Sequence, residues 1–124
     1  MQLEITVAHH FLHRAIGLLG QRVLDDRQGL LIIPCNSIHT LFMRMAIDVV
    51  FIDRCGQISR IIEHMPPWRC AAAPGLSCLE LGAGNAALLG LHVGLRLPQL
   101  AHPVAGKTVL LDLPAPEAGN HRSR

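Results

Sequence analysis

Short apolar segments separated by turn-forming residues dominate this sequence. Residues 3–7 alternate apolar with polar side chains, and residues 30–33 form a continuous apolar run that ends at Pro34. The first pattern is typical of a half-buried β-strand and the second of a strand buried on both faces. About six to eight such segments occur, which favours a mainly β fold, expected to be a compact antiparallel β-barrel or sandwich.

Three consecutive segments, residues 37–43, 47–53 and 58–63, are predicted to pair as an antiparallel meander. Gly56 lies in the turn between the last two, where a glycine adopts a positive φ without steric cost. Further strands are predicted at residues 77–81, 95–97 and 108–113.

Two segments are predicted to be helical. Residues 8–19 place their apolar side chains on one face at helical spacing, which predicts an N-terminal amphipathic helix ending near Gly20. Residues 82–89 begin with a Gly-Ala-Gly turn and predict a second, short helix. No run of alternating strands and helices occurs, so a doubly wound parallel sheet is disfavoured.

Length and composition limit the chain to one folded unit without a strong electric field. The 124 residues are 50% hydrophobic, and 11 Lys and Arg against 9 Asp and Glu give a formal net charge of +2. One domain over residues 1–113 and a flexible tail over residues 114–124 are expected. The basic residues are few and scattered, so a nucleic-acid surface is not indicated.

Neither a membrane span nor an export signal is predicted. The apolar runs stop far short of the roughly 20 residues that a membrane helix needs. The sequence begins Met-Gln-Leu-Glu, without a basic region followed by an apolar one, so a cytoplasmic location is expected.

The cysteines are spaced like neither a zinc knuckle nor a disulfide scaffold. We therefore expect unpaired thiols in a reducing compartment and no metal site. The four cysteines are Cys35, Cys55, Cys70 and Cys78.

Asp48 is the most unusual residue, because it interrupts the apolar residues 47–52 of a predicted buried strand. A buried carboxylate needs a charged partner or hydrogen-bond donors. Arg44 or His39 could supply the partner. Alternatively, Asp48 accepts backbone N–H groups and fixes the turn at residues 44–46, or it faces a ligand.

Cys35 and His39 are four residues apart in a predicted extended segment, which directs both side chains to the same face. A thiol and an imidazole could act as nucleophile and base, or hold a metal. Spacing alone does not bring them into contact, and a structural or ligand-contacting role is favoured.

Trp68 is the only tryptophan, and it follows two prolines and precedes Arg69. An exposed indole beside a guanidinium is a platform for a sugar ring, a planar ligand or a peptide. The alternative is a lid that closes one end of the fold.

Glu80 alternates with two leucines in a predicted strand, so its side chain is expected to face solvent. The alternative is an ion pair with Arg69 or Arg44.

Four blocks of the sequence resemble the DUF192 family of uncharacterised bacterial and archaeal proteins. They are residues 13–19, 35–53, 66–69 and 79–84, within a match over roughly residues 7–97. The resemblance implies a compact, mainly β fold with an early helix and no established activity. Many relatives have a signal peptide or lipid attachment and a Trp-Met-Lys-Asn-type segment, where this chain has residues 42–45 as Phe-Met-Arg-Met.

A small, non-enzymatic binding or accessory module is the favoured function. A hydrolase-like or metal-dependent enzyme using Cys35, His39 and Asp48 is the first alternative, and a protein-interaction partner without a small-molecule site is the second. No motif identifies a cofactor. The predicted ligand site comprises Cys35, His39, Arg44, Asp48, Trp68, Arg69 and Glu80.

Overall fold

The computed structural model describes residues 2–8, 27–33, 37–39, 45–73, 75 and 77–114. A four-residue helix, α1 (Asn85–Leu88), and a 3-10 helix (Pro98–Leu100) are the helices of this part of the chain. The remaining regular structure is β: β1 (Gln2–Ala8), β2 (Gln28–Ile32), β3 (Ser37–His39), β4 (Ile47–Ile52), β5 (Ile58–Met65), β6 (Cys70–Ala72), β7 (Ser77–Gly82) and β8 (Thr108–Asp112).

Six strands form one open sheet in the order β5-β4-β7-β2-β1-β8, and β3 pairs with β6 in a separate two-stranded sheet. The mainly β prediction is confirmed, but the predicted barrel is wrong. A barrel requires its first and last strands to pair. In the described part of the chain, β5 and β8 are the two edges of the sheet and do not pair with each other.

Strand pairing also differs from the predicted all-antiparallel meander. β4 lies between β5 and β7, whereas β3 pairs with β6, so residues 37–39 are not the neighbour of β4. β1 and β2 are parallel. A parallel neighbour requires a crossover of a dozen or more residues, and the segment between these two strands is long enough to provide one.

The predicted helices, the predicted strand at residues 95–97 and the predicted tail have mixed outcomes. Of the predicted N-terminal helix, Ala8 belongs to β1 and residues 9–19 lie outside the described residues. The short helix within residues 82–89 is confirmed as α1. Residues 95–97 form a single bridge, Gln57 to Arg96, instead of a strand, and most of the predicted tail lies outside the described residues.

Both faces of the central strands are buried, each in its own hydrophobic cluster. The first face of the sheet presents Leu31, Val50 and Leu79 to a cluster completed by α1 and by the chain after it, including Leu91 and Leu100.

The second face presents Leu30, Val49 and Phe51 to another cluster. Ala71 of β6 packs against that cluster, so the two-stranded sheet lies over the second face. Continuous burial on β4 and β7 follows from this layering, because side chains on either side of a central strand are covered.

No helix in the described ranges is long and apolar enough to cross a membrane.

Candidate functional site

Asp48 is buried on β4 and accepts three backbone hydrogen bonds. Its Oδ1 accepts the N–H of His64 at 2.8 Å and the N–H of Gly84 at 3.1 Å, and its Oδ2 accepts the N–H of Ala86 at 2.8 Å. Carboxylate oxygens accept hydrogen bonds, and here each of the two oxygens accepts at least one backbone N–H. The carboxylate therefore joins β4, β5 and the first turn of α1 on the first face.

A β-bulge lies opposite Asp48. Ile47 pairs with Met65 and Val49 with Ile62, which leaves two residues of β5 facing one residue of β4. Such bulges bend a strand and redirect its side chains. The expectation that Asp48 receives backbone N–H groups agrees with the structure, and the described donors lie on β5 and at α1. Arg44 of the predicted turn lies outside the described residues.

His64 is the second bulged residue, and it has a φ of +53°. A non-glycine residue in this left-handed region costs roughly 1–2 kcal/mol. Its side chain is exposed, and a Cβ built on Gly84 would lie 3.8 Å from His64 Cε1 and 3.9 Å from Nε2. No pattern in the sequence indicates this residue, because a bulge depends on strand register.

Trp68 lies in the loop between β5 and β6, with 59% of its surface exposed and a φ of +65°. The adjacent Arg69 is also exposed, and its Nη1 donates to the Trp68 carbonyl oxygen at 3.3 Å. In the described part of the chain, Trp68 and His64 are the two non-glycine residues with a positive φ. Backbone strain of this kind concentrates at binding and catalytic sites.

Glu80 has none of its surface exposed, so the prediction that it faces solvent is wrong. It lies on β7 between Leu30 of β2 and Val49 of β4, and alternation places its side chain on the second face with theirs. The alternating pattern indicated its orientation, but not that a second layer covers this face. Asp48 and Glu80 consequently lie on opposite faces of the sheet.

Three predicted site residues are only partly described or not described at all. Cys35 and Arg44 lie outside the described residues. The backbone of His39 belongs to β3, where it pairs with Cys70 of β6. This two-stranded sheet lies over the second face, whereas the Asp48 carboxylate lies on the first.

The described cysteines differ in exposure: Cys55 and Cys70 are exposed, whereas Cys78 is buried in the second cluster. We expect a thiol reagent to label Cys55 and Cys70 in the folded protein, and Cys78 only on unfolding, because thiolate chemistry requires access. Peptide mapping after labelling with and without urea checks this result. Labelling of Cys78 at the rate of Cys55 would contradict the packing of the second face.

Within the described residues, no group of three or more His, Cys, Asp or Glu side chains could hold a metal ion.

A groove of about 320 Å³ lies at the β8 end of the sheet, away from Trp68. It includes none of the predicted site residues. Its lining is mostly polar and consists of Gln2, Glu4, Arg27, Gln28 and Leu110.

The fold and the candidate site define a small, mainly β domain, with an open six-stranded sheet and an exposed tryptophan at one end. Its residues 1–99 match the sequence model of DUF192, described as Uncharacterized ACR. The chain therefore belongs to the DUF192 family, which confirms the resemblance noted in its sequence.

Two solved structures are similar to this chain. A protein of unknown function from Novosphingobium aromaticivorans is 24% identical with a TM-score of 0.61, over 73% of this chain and 70% of that chain. A protein from Sinorhizobium meliloti, provisionally labelled a transcription regulator, is 25% identical with a TM-score of 0.65, over 74% of this chain and 78% of that chain. No curated protein matches the chain.

Proposed function

We propose that this chain is a small, non-enzymatic binding module whose ligand stacks on Trp68. The observation that carries the proposal is the 59% exposure of this indole on a left-handed backbone. Burying such a side chain stabilises a fold by roughly 1.5–3 kcal/mol, and adopting a positive φ costs roughly 1–2 kcal/mol more. The exposed indole of Trp68 gives up most of the stabilisation from burial, and its backbone bears the cost of the positive φ. Both costs are explained if the ring is exposed for contact with another molecule.

The neighbouring groups suit a ring-shaped ligand. An indole face stacks on the C–H face of a sugar or on a planar ring, and the adjacent Arg69 guanidinium can donate to oxygen atoms on that ring. Pro66 and Pro67 restrict the backbone that leads to Trp68, which lowers the entropy lost when a ligand binds.

Fluorescence tests the proposal directly, because the chain has one tryptophan and no tyrosine. Titration with monosaccharides, nucleotides, aromatic carboxylates and short peptides is expected to shift or quench the Trp68 emission for at least one class. At about 100 times its Kd, such a ligand adds roughly 2.7 kcal/mol of stability, which a thermal-shift assay detects.

The matched control compares two exposed apolar side chains. Trp68→Ala is expected to abolish the ligand-induced rise in Tm, whereas Val93→Ala, at a site 62% exposed, leaves it unchanged. A rise in Tm that survives Trp68→Ala would place the ligand elsewhere and overturn the proposal.

The label of the Sinorhizobium meliloti structure suggests DNA as another ligand to include. Binding to DNA draws on several phosphate contacts and weakens steeply with added salt. The formal net charge of +2 gives little support for such contacts. Salt-dependent binding to duplex DNA, unaffected by Trp68→Ala, would favour the regulator function over the proposed one.

An enzyme based on Cys35, His39 and Asp48 finds no support in the described residues. Both Asp48 oxygens already accept bonds from backbone N–H groups, and the strand that carries His39 lies over the other face.

A further inference from the structure

We propose that His64 contacts the same ligand as Trp68 and Arg69, and that this ligand carries an anionic group on its ring. The inference rests on the proposed function and extends it to a residue that the sequence did not indicate. Its basis is the exposed imidazole of His64, whose backbone N–H donates to the Asp48 carboxylate.

The number of residues between His64 and Trp68 sets an upper limit on the distance between their Cα atoms. His64 and Trp68 are four residues apart, so their Cα atoms are at most roughly 14 Å apart. Both are exposed and both have a positive φ, whereas Met65 between them is buried. One end of β5 and the following loop therefore carry two aromatic rings on constrained backbone.

The hydrogen-bond chemistry favours an anion. An imidazole and a guanidinium both donate N–H groups, and such donors bind carboxylates and phosphates more strongly than they bind neutral oxygens. Asp48 acts here as a positioning residue, because it holds the backbone of His64 and does not reach the surface.

Besides His64, the described elements β4, β5 and α1 carry three charged side chains. On β5, Glu63 is exposed and opposes an anion, and the Arg60 guanidinium donates to the Ala72 carbonyl oxygen at 2.7 Å. On β4, Asp48 is buried, and α1 has no charged residue. Glu63→Gln is therefore expected to strengthen anion binding.

The first test needs no ligand and measures whether position 64 lies on the Trp68 surface. Iodide and caesium quench exposed tryptophan with opposite charge preference. His64→Lys should raise the ratio of iodide to caesium quenching roughly two- to threefold and His64→Glu lower it by a similar factor, as expected for one charge within about a Debye length. The control is the same pair of substitutions at Thr6, which is exposed on β1. Equal ratios in the His64 and Thr6 variants would overturn the shared surface.

The second test measures the ligand class with matched pairs: glucuronate against glucose, and benzoate against benzyl alcohol. The carboxylate of at least one pair should bind several-fold more tightly, and His64→Asn should reduce that preference, because Asn tolerates a positive φ but lacks the imidazole ring. Equal affinities within both pairs, or a preference that His64→Asn leaves intact, would overturn the proposal.

The two tests distinguish a failure of this inference from a failure of the proposed binding function. If no carboxylate binds, the anionic class is wrong, and if no ring ligand of either kind binds, the proposed function fails as well. Whether or not a ligand binds, the quenching ratio shows whether position 64 lies on the same surface as Trp68.

Discussion

Asp48→Asn is expected to lower the free energy of unfolding by about 2–4 kcal/mol, because the amide replaces one acceptor with a donor. Oδ1 receives the N–H groups of His64 and Gly84, and Oδ2 that of Ala86. Asn can satisfy one side of this arrangement, but its NH₂ group then faces a backbone N–H. Urea denaturation monitored by circular dichroism measures the loss.

Asp53→Asn is the matched control for this change. Asp53 Oδ1 accepts the N–H groups of Cys55 at 2.8 Å and Gln57 at 3.0 Å in the turn between β4 and β5. Asn is well suited to such turns, and solvent reaches this one, so the cost should stay below about 1 kcal/mol. Similar losses for the two variants would show that the Asp48 bonds do not anchor α1 and the bulge.

The contrast between Asp48 and Glu80 shows what the sequence pattern could predict. Burial of Asp48 follows from the apolar residues 47–52 around it, and the need for hydrogen-bond donors follows from burial. The pattern around Glu80 predicted its alternation correctly but not its burial, since burial depends on whether a second layer covers that face. Local periodicity reports which side chains share a face, and not what packs on it.

The remaining differences have the same origin in non-local contacts. The open sheet and the pairing of β4 with β7 depend on which distant strands meet. His64 was missed because its left-handed backbone arises from the mismatch between Asp48 and two residues of β5. Trp68 was found because a lone tryptophan after two prolines is visible in the sequence itself.

Gly56 is required for two reasons. Its positive φ is predicted by the sequence, and the close approach of the Leu97 backbone is found only in the structure. Its φ of +79° confirms the predicted turn glycine. The Leu97 N–H also donates to the Gly56 carbonyl oxygen at 2.7 Å, which brings the chain after α1 against the β4–β5 turn. A Cβ built on Gly56 would lie 2.5 Å from the Leu97 carbonyl oxygen and 3.1 Å from its carbon.

Gly56→Ala is therefore expected to cost roughly 3–5 kcal/mol, the largest loss predicted for this chain, because backbone strain and a backbone clash add. Gly90→Ala separates the two causes: its φ is +74°, and no atom of the described residues lies within 4 Å of a Cβ built there. That variant should lose only about 1–2 kcal/mol from the left-handed conformation. Urea denaturation of both variants measures the difference, and equal losses would mean that the chain near Leu97 moves aside without resistance.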